Sequence, residues 1–366
     1  MVPEVDTRPG TQPRVTVLIP CYNLGAYLND AVESVLAQTY QDFEILIVDD
    51  GSTDPETVRL LDRYVRPKTT VYRTPNRKLA AARNFLIERA RGEYLCALDA
   101  DDTLHPEYLE KTVAALEEAR SLGFVSTRLQ AFGAETRVWP DDTRCDLQTL
   151  LCDDPVHPAA LVRRSTVLAV GGYDERMPHQ GDEDWDLWIS LVEAGHPGII
   201  LGDILFFYRR RPGSMCDECT RGQVHIDLIE YLVRKHAASY RAHWQDVVRF
   251  KDRAMGELEA LNAVLEMELS TSLVPTVERR REELAMLKRR LEEARRDTAR
   301  HESPQHVQRL EAALHEQRAA LASAEAAHRS AAADVAALRS SGSWQVTAPL
   351  RALYNLLLAA RKGGGA

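Results

Sequence analysis

The sequence predicts an α/β domain built on a mostly parallel sheet, followed by a long helical region. Three observations carry that prediction. From Val15 onward, short apolar runs alternate with helical periodicity, the pattern of βαβ units. The run Tyr94 to Leu98 leads straight into three carboxylates, Asp99, Asp101 and Asp102. In an open α/β sheet, ligands bind in the crevice outside the carboxyl ends of the strands. After His225 the composition shifts to dense Arg and Glu, with apolar residues at heptad spacing.

Taken in order, residues 1–13 hold three prolines and read as a disordered lead-in. Val15 to Ile19 is a buried strand ended by Pro20. Cys21 to Gly25 is a turn, and a helix with Leu28, Val32, Val35 and Leu36 on one face follows. Phe43 to Val48 is a second strand, closed by the polar segment Asp49 to Asp54. Next come a helix, a short strand (Thr70 to Tyr72), a helix (Ala80 to Arg91) and the strand that opens at Tyr94. Asp102 or Thr103 then reads as a helix N-cap, with Pro106 and Glu107 in the first turn. The boundaries expected are 14–225 for the α/β domain, 226–340 for the helical region and 341–366 for the tail.

A net charge of -9 argues against nucleic acid as the main partner. Six cysteines, with no signal-peptide core before Arg14, point to a reducing cytosol. No apolar run reaches the roughly 18 residues of a spanning helix, so membrane contact is expected to be peripheral at most. The glycine fingerprints of dinucleotide-binding and P-loop proteins are absent. The second strand ends instead in two acids, which can accept hydrogen bonds from a base or ribose but cannot cradle phosphate without a cation. Carboxylates crowded after the Tyr94 strand repel one another. A hard divalent cation shared with substrate phosphates relieves that repulsion.

Several segments together resemble the family 2 glycosyltransferases. They are Val17 to Asn23, Ile47 to Asp54, Ala82-Arg83-Asn84, Gly92-Glu93-Tyr94 with Asp99-Ala100-Asp101-Asp102, Gly171 to Glu175, Gly181 to Trp188 and Tyr208 to Ser214. The resemblance covers about residues 14–220. It implies the GT-A fold and transfer, with inversion, from a nucleoside-diphosphate sugar to an acceptor hydroxyl. It also implies Mg²⁺ or Mn²⁺ as cofactor, a glycan or lipid-linked acceptor, and a place in bacterial surface polysaccharide or other glycoconjugate synthesis. By position, Pro20, Tyr22 and Asp50 would hold the base, and Lys78 and Arg83 would approach the base or diphosphate. Asp99 would bind the ribose and, with Asp101, the metal, and Asp184 would be the catalytic base beside Glu183. Trp185 is the candidate for acceptor contact, while Trp188 fits the core.

Purely structural readings stand beside these. Asp50 could close an Asx-turn, Arg83 could lie on a solvated helix face, and Asp184 could be a helix N-terminal acid. The chemistry nevertheless suits the residue types. Expelling a diphosphate needs positive charge beside the leaving group, and the acceptor hydroxyl needs a base on the opposite face. The resemblance breaks at Arg211, where many members carry a histidine that completes the metal shell. Arginine cannot ligate a cation, but its fork can pair with a diphosphate.

Cys216 and Cys219 form a C-x-x-C that could join Cys145 and Cys152 in a zinc site; thiols without a role are the alternative. Val277, Leu284 and Leu291 repeat every seven residues, and Val307, Leu310, Leu314 and Leu321 resume the pattern beyond Ser303-Pro304. The expectation is homo-oligomerisation through a coiled coil, with a single solvated helix or an intrachain hairpin as the alternatives. The tail, Ser343 to Arg351 and the leucine-rich segment after it, resembles an ending of bacterial polysaccharide glycosyltransferases. It reads as a peripheral contact with the inner face of the plasma membrane by a cytoplasmic protein. A sugar-1-phosphate nucleotidyltransferase and a non-catalytic scaffold remain as competing readings.

Overall fold

The computed structural model describes residues 12–134, 136–211, 213–215, 219, 222–298 and 304–340. The first compact unit runs to Val248. It opens with β1 (Val15–Cys21), α1 (Gly25–Leu36), β2 (Phe43–Asp50), α2 (Pro55–Asp62), β3 (Thr69–Thr74), α3 (Leu79–Arg89) and β4 (Tyr94–Ala97). It continues through β5 (Thr103–Leu104), α4 (Tyr108–Glu118), β6 (Phe124–Gly133), β7 (Val138–Trp139), α5 (Leu147–Leu150), β8 (Leu161–Arg163), α6 (Arg164–Ala169), α7 (Glu183–Glu193) and β9 (Gly198–Arg210). The helices α8 (Gly222–Lys235) and α9 (Ala237–Ala242) close it.

The sheet runs β3-β2-β1-β4-β8-β6-β9-β5, with β7 paired to β6. The β3 to β4 portion is parallel, β8 inserts antiparallel between β4 and β6, and β6 and β9 are parallel again. Strands covered on both faces read as continuous apolar runs, and β1 and β2 are buried at every position. Their alternation divides the core. Val15, Val17 and Ile19 pack with Leu28, Val32 and Val35 of α1. Leu18, Leu46 and Val48 pack on the other face with Leu86 of α3 and Leu187, Trp188 and Leu191 of α7. Trp188 is fully buried with its ring 4.8 Å from Phe124, as a core residue should be.

The expected helix cap at Asp102 or Thr103 is corrected. Helix α4 begins at Tyr108, and Thr103–Leu104 forms β5 against Phe206 and Phe207 of β9. Asp102 is fully buried, and its Oδ1 accepts the Arg209 N–H at 2.8 Å, so it fastens β9 instead. Helix α8 belongs with the sheet rather than with the helical region. Its Leu232 enters the core beside α7, and Lys235 Nζ donates to Asp174 and Asp186 at 2.8 and 2.7 Å. His236 lies between Asp186 Oδ1 (3.1 Å) and Glu193 Oε2 (2.8 Å).

Helix α10 (Trp244–Glu268) leads into the second compact unit, which starts at Arg249. A π-helical turn, Leu269–Leu273, precedes α11 (Val274–Thr298), and α12 (Pro304–Ser340) follows. Leu291 and Ala294 of α11 pack on Leu310 and Leu314 of α12, with Leu284, Leu287 and Val307 alongside. Arg281 bonds Glu325 at 2.8 Å while Arg295 bonds Glu311 at 2.5 Å, so the two helices run antiparallel. The heptad stripe therefore meets its partner within the chain, as a hairpin. Among the described residues no helix is long and apolar enough to cross a membrane. The tail from Ser343 onward and Cys216 lie outside the described residues.

Candidate active site

The carboxyl ends of β1, β2 and β4 open on a cleft of about 760 Å³. Asn23 builds its rim. In a left-handed conformation (φ 56°), its Oδ1 accepts the backbone N–H of Thr53 and Asp54, each at 2.8 Å. Its own N–H donates to Ser52 Oγ at 3.0 Å, so the loop after β1 is bolted to the loop after β2. Pro20 and Tyr22 line the cleft on this side, with Tyr22 exposed at the mouth.

The acids after β2 divide the work. Asp49 Oδ1 accepts the Ser52 N–H at 2.9 Å and closes the turn. Asp54 caps α2 through the Thr57 N–H at 2.8 Å. Asp50 is left facing the cleft, where its Oδ1 accepts from the Thr74 hydroxyl (3.1 Å) and the Arg77 N–H (2.9 Å). Burial raises its pKa even against those hydrogen bonds.

Arg83, 1% exposed, spans the middle of the site. It donates to Asp99 Oδ1 and to Glu183 Oε1, each at 2.8 Å, with its guanidinium 5.2 Å above the Tyr173 ring. The bridge joins the end of β4 to the first turn of α7. Glu183 Oε2 also accepts the Gly181 N–H at 2.9 Å. Asp184 lines the cleft beside it, and its Oδ1 accepts the Trp185 N–H at 3.0 Å. Burial, reinforced by the Glu183 carboxylate and opposed by Arg83, pushes Asp184 up to about 7. A carboxylate with that affinity is suited to take a hydroxyl proton near neutral pH.

Asp101 faces Arg211, whose Nε and Nη2 both reach Asp101 Oδ2, at 2.8 and 2.7 Å. Burial and the Asp99 charge raise the Asp101 pKa, while Arg211 pulls it down. Arg209, next along β9, donates from Nε to the Asp101 carbonyl (2.8 Å) and from Nη2 to Asp30 (2.9 Å).

Of the residues singled out from sequence, Pro20, Tyr22, Asp50, Arg83, Asp99, Asp101, Glu183, Asp184, Trp185 and Arg211 all line this one cleft. Lys78 does not; it is exposed and borders a neighbouring pocket with His179 and Gln180. Trp185 is fixed in the wall, because its Nε1 donates to the Leu150 carbonyl at 2.6 Å. Sequence reasoning missed Asp153 and Asp154, which the Asp-Asp-Pro run before Val156 could have flagged. Burial, then the charge of Asp184, holds Asp154 far above the usual carboxylate range. It also missed the aromatic floor of Trp139, His157, Phe206 and Tyr208. Phe206 and Tyr208 alternate along β9, but Trp139 comes from β7 and His157 from a loop, so no single spacing marks the group. His157 stacks on Phe206 at 4.4 Å, and burial drops its pKa to about 3, so it stays neutral.

Among the described residues no three His, Cys, Asp or Glu side chains converge to hold a metal, which leaves the zinc reading of the cysteines without a described site. For Mg²⁺ or Mn²⁺ the donor set is sufficient. Such an ion needs one or two carboxylates and fills its other positions with water and phosphate oxygens. Asp101 at the cleft supplies one carboxylate, with Asp99 close by.

The model of the family described as glycosyl transferase family 2 matches residues 16–185. EpsE of Bacillus subtilis (strain 168), named as a glycosyltransferase, is 32% identical over 209 residues, covering 54% of this chain and 73% of its own. The chain belongs to glycosyl transferase family 2. TuaG of the same organism, named for teichuronic acid biosynthesis, is 31% identical to this family 2 chain over 208 residues, 54% of it and 79% of TuaG. The chondroitin synthase of Escherichia coli is 31% identical over 192 residues, but these make up only 27% of that longer protein. Among solved structures, S. aureus TarS 1-349 in complex with UDP-GlcNAc superposes with a TM-score of 0.54 at 19% identity, over 65% of this chain and 71% of that one. The family 2 domain thus has the GT-A fold.

Proposed function

We propose that this glycosyltransferase moves a sugar, with inversion, from a nucleoside diphosphate to an acceptor hydroxyl during synthesis of a bacterial surface polysaccharide. The observation that carries the reading is Asp184, a half-buried carboxylate with its pKa pushed up to about 7, in the same cleft as the Asp99–Asp101 pair. The relatives named for polysaccharide synthesis support the product class. Pro20 and Tyr22 flank the base, and Asp50 accepts from a ring N–H. Asp99 accepts from the ribose, and Asp101 holds Mg²⁺ or Mn²⁺. When bound, the cation supplies Lewis-acid stabilisation of the charge on the departing diphosphate.

The chain's own groups do the rest. Arg83 fixes Glu183 and Asp99 in one frame, and that frame sets where Asp184 sits. Asp184 takes the acceptor proton as the hydroxyl attacks the face opposite the leaving group. Its charge also steadies the positive character that develops at the anomeric carbon. The aromatic floor and Trp185 form the wall against which the acceptor rests. The tail from Ser343 serves as a peripheral membrane contact on the cytoplasmic side, and copies associate through the helical region.

Asp184→Asn tests the assignment. It keeps the shape and removes the proton acceptor, so the donor Kd should hold while single-turnover transfer falls by about 10²–10⁴-fold. Glu183→Gln should cost less. Near-full transfer by Asp184→Asn would remove Asp184 from the base role.

A further inference from the structure

Arg211 spends two N–H groups on a single oxygen, Asp101 Oδ2, at 2.8 and 2.7 Å. The pair is sheltered: the Asp101 side chain is 13% exposed and that of Arg211 29%. The guanidinium also lies 5.2 Å above the Tyr27 ring, which gives it a defined resting place. Asp99, the neighbouring carboxylate, is held at 2.8 Å by Arg83. A cation seeking Asp101 must therefore displace a guanidinium that already neutralises it.

A diphosphate changes that balance. Its oxygens offer a guanidinium fork the same planar, bidentate partner that a carboxylate does. Arg211 stands at the end of β9 on the cleft wall, where a long side chain can turn from one oxyanion to another. We propose that Arg211 is an exchangeable latch: it holds Asp101 while the cleft is empty, and the incoming diphosphate draws it away. Asp101 then becomes available to the divalent cation only with the donor, so the two bind as a linked pair. The inference rests on the metal role given to Asp101 above.

Two probes read the latch without turnover: Mn²⁺ alone, followed by electron paramagnetic resonance, and inorganic pyrophosphate in chelator, followed by calorimetry. Arg211→Gln should bind Mn²⁺ alone about tenfold more tightly than the native protein, within the usual range of site-to-site coupling. The same variant should bind pyrophosphate several-fold more weakly in chelator. Opposite signs are the signature, since a merely structural loss would weaken both. Arg211→Lys keeps the charge without the fork and should fall between. Unchanged or weaker Mn²⁺ binding by Arg211→Gln overturns the latch. If Mn²⁺ binding tightens in Arg211→Gln and the Asp101→Asn, Arg211→Gln double variant keeps the gain, Asp101 is not the ligand, and the metal assignment falls along with the latch.

Discussion

His236 offers a quantitative test of how the cleft is supported from behind. Both ring nitrogens face carboxylate oxygens, Glu193 at 2.8 Å and Asp186 at 3.1 Å, and neither partner can donate when ionised. Two hydrogen bonds to two such acceptors require two N–H groups, so the ring is an imidazolium. Burial opposes that charge, but the bonds to Asp186 and Glu193 outweigh it and raise the pKa above the ordinary value. His236→Phe keeps the ring and removes both donors. Each charged hydrogen bond contributes about 1.5–3 kcal/mol. Lys235 still reaches Asp186 at 2.7 Å, and Ser239 still donates to Glu193 at 2.5 Å, so neither acid is stranded. The loss therefore belongs at the low end, about 3 kcal/mol in all. For a unit of this size that lowers the melting temperature by about 6–12 °C. The group has a raised folded pKa, so its stabilisation is complete below about pH 6.5 and fades as pH rises through the folded value. Melting curves at about pH 6 and pH 9 should show the gap between native and variant narrowing at the higher pH. An equal gap at both pH values, or none at pH 6, would refute the imidazolium.

Three further outcomes follow from the geometry. Transfer should climb with pH through about 7 as Asp184 loses its proton, and a flat single-turnover profile across that range would speak against it as the base. Gly25→Ala would put a Cβ 2.7 Å from Thr57 Cα, so denaturant unfolding should show a cost of about 1–3 kcal/mol; a neutral result would mean that α1 and α2 part easily at their first turns. A chain ended at residue 225 loses Leu232 from the core and leaves Asp174 and Asp186 without Lys235. It should melt well below one ended at Val248, and equal melting would put α8 outside the domain.

Where both faces of a strand are buried, the sequence was easy to read, and β1 and β2 differ from expectation only by extra residues at their carboxyl ends. That Asp50, Asp99 and Asp101 would share a cleft was legible because they lie at or just past the ends of β2 and β4, whereas Glu183 and Asp184 reach it from the first turn of α7. The direction of Lys78 was not legible: a positive φ of 72° at the start of α3 goes with a side chain on the neighbouring pocket, and spacing carries no such information. The partner of Arg211 was also invisible, because 110 residues separate it from Asp101. Asp102 looked like a cap since Asp before a helix usually is one; its burial against Arg209 depends on β9 folding back beside β5. Heptad spacing specified the stripe on α11 but not whether the facing stripe would come from the same chain.

That last point bears on assembly. Because Leu291 and Ala294 are met by Leu310 and Leu314 of the same polypeptide, closing the hairpin is a unimolecular event. Its equilibrium is therefore indifferent to dilution, whereas any union of two copies obeys mass action. Copies that join while the hairpin stays shut must do so through other surfaces, and the side chains of Leu261, Val264, Met267 and Met286 lie open to solvent on α10 and α11. Opening the hairpin to expose its own stripe would instead make concentration a switch between a closed arm and a shared one.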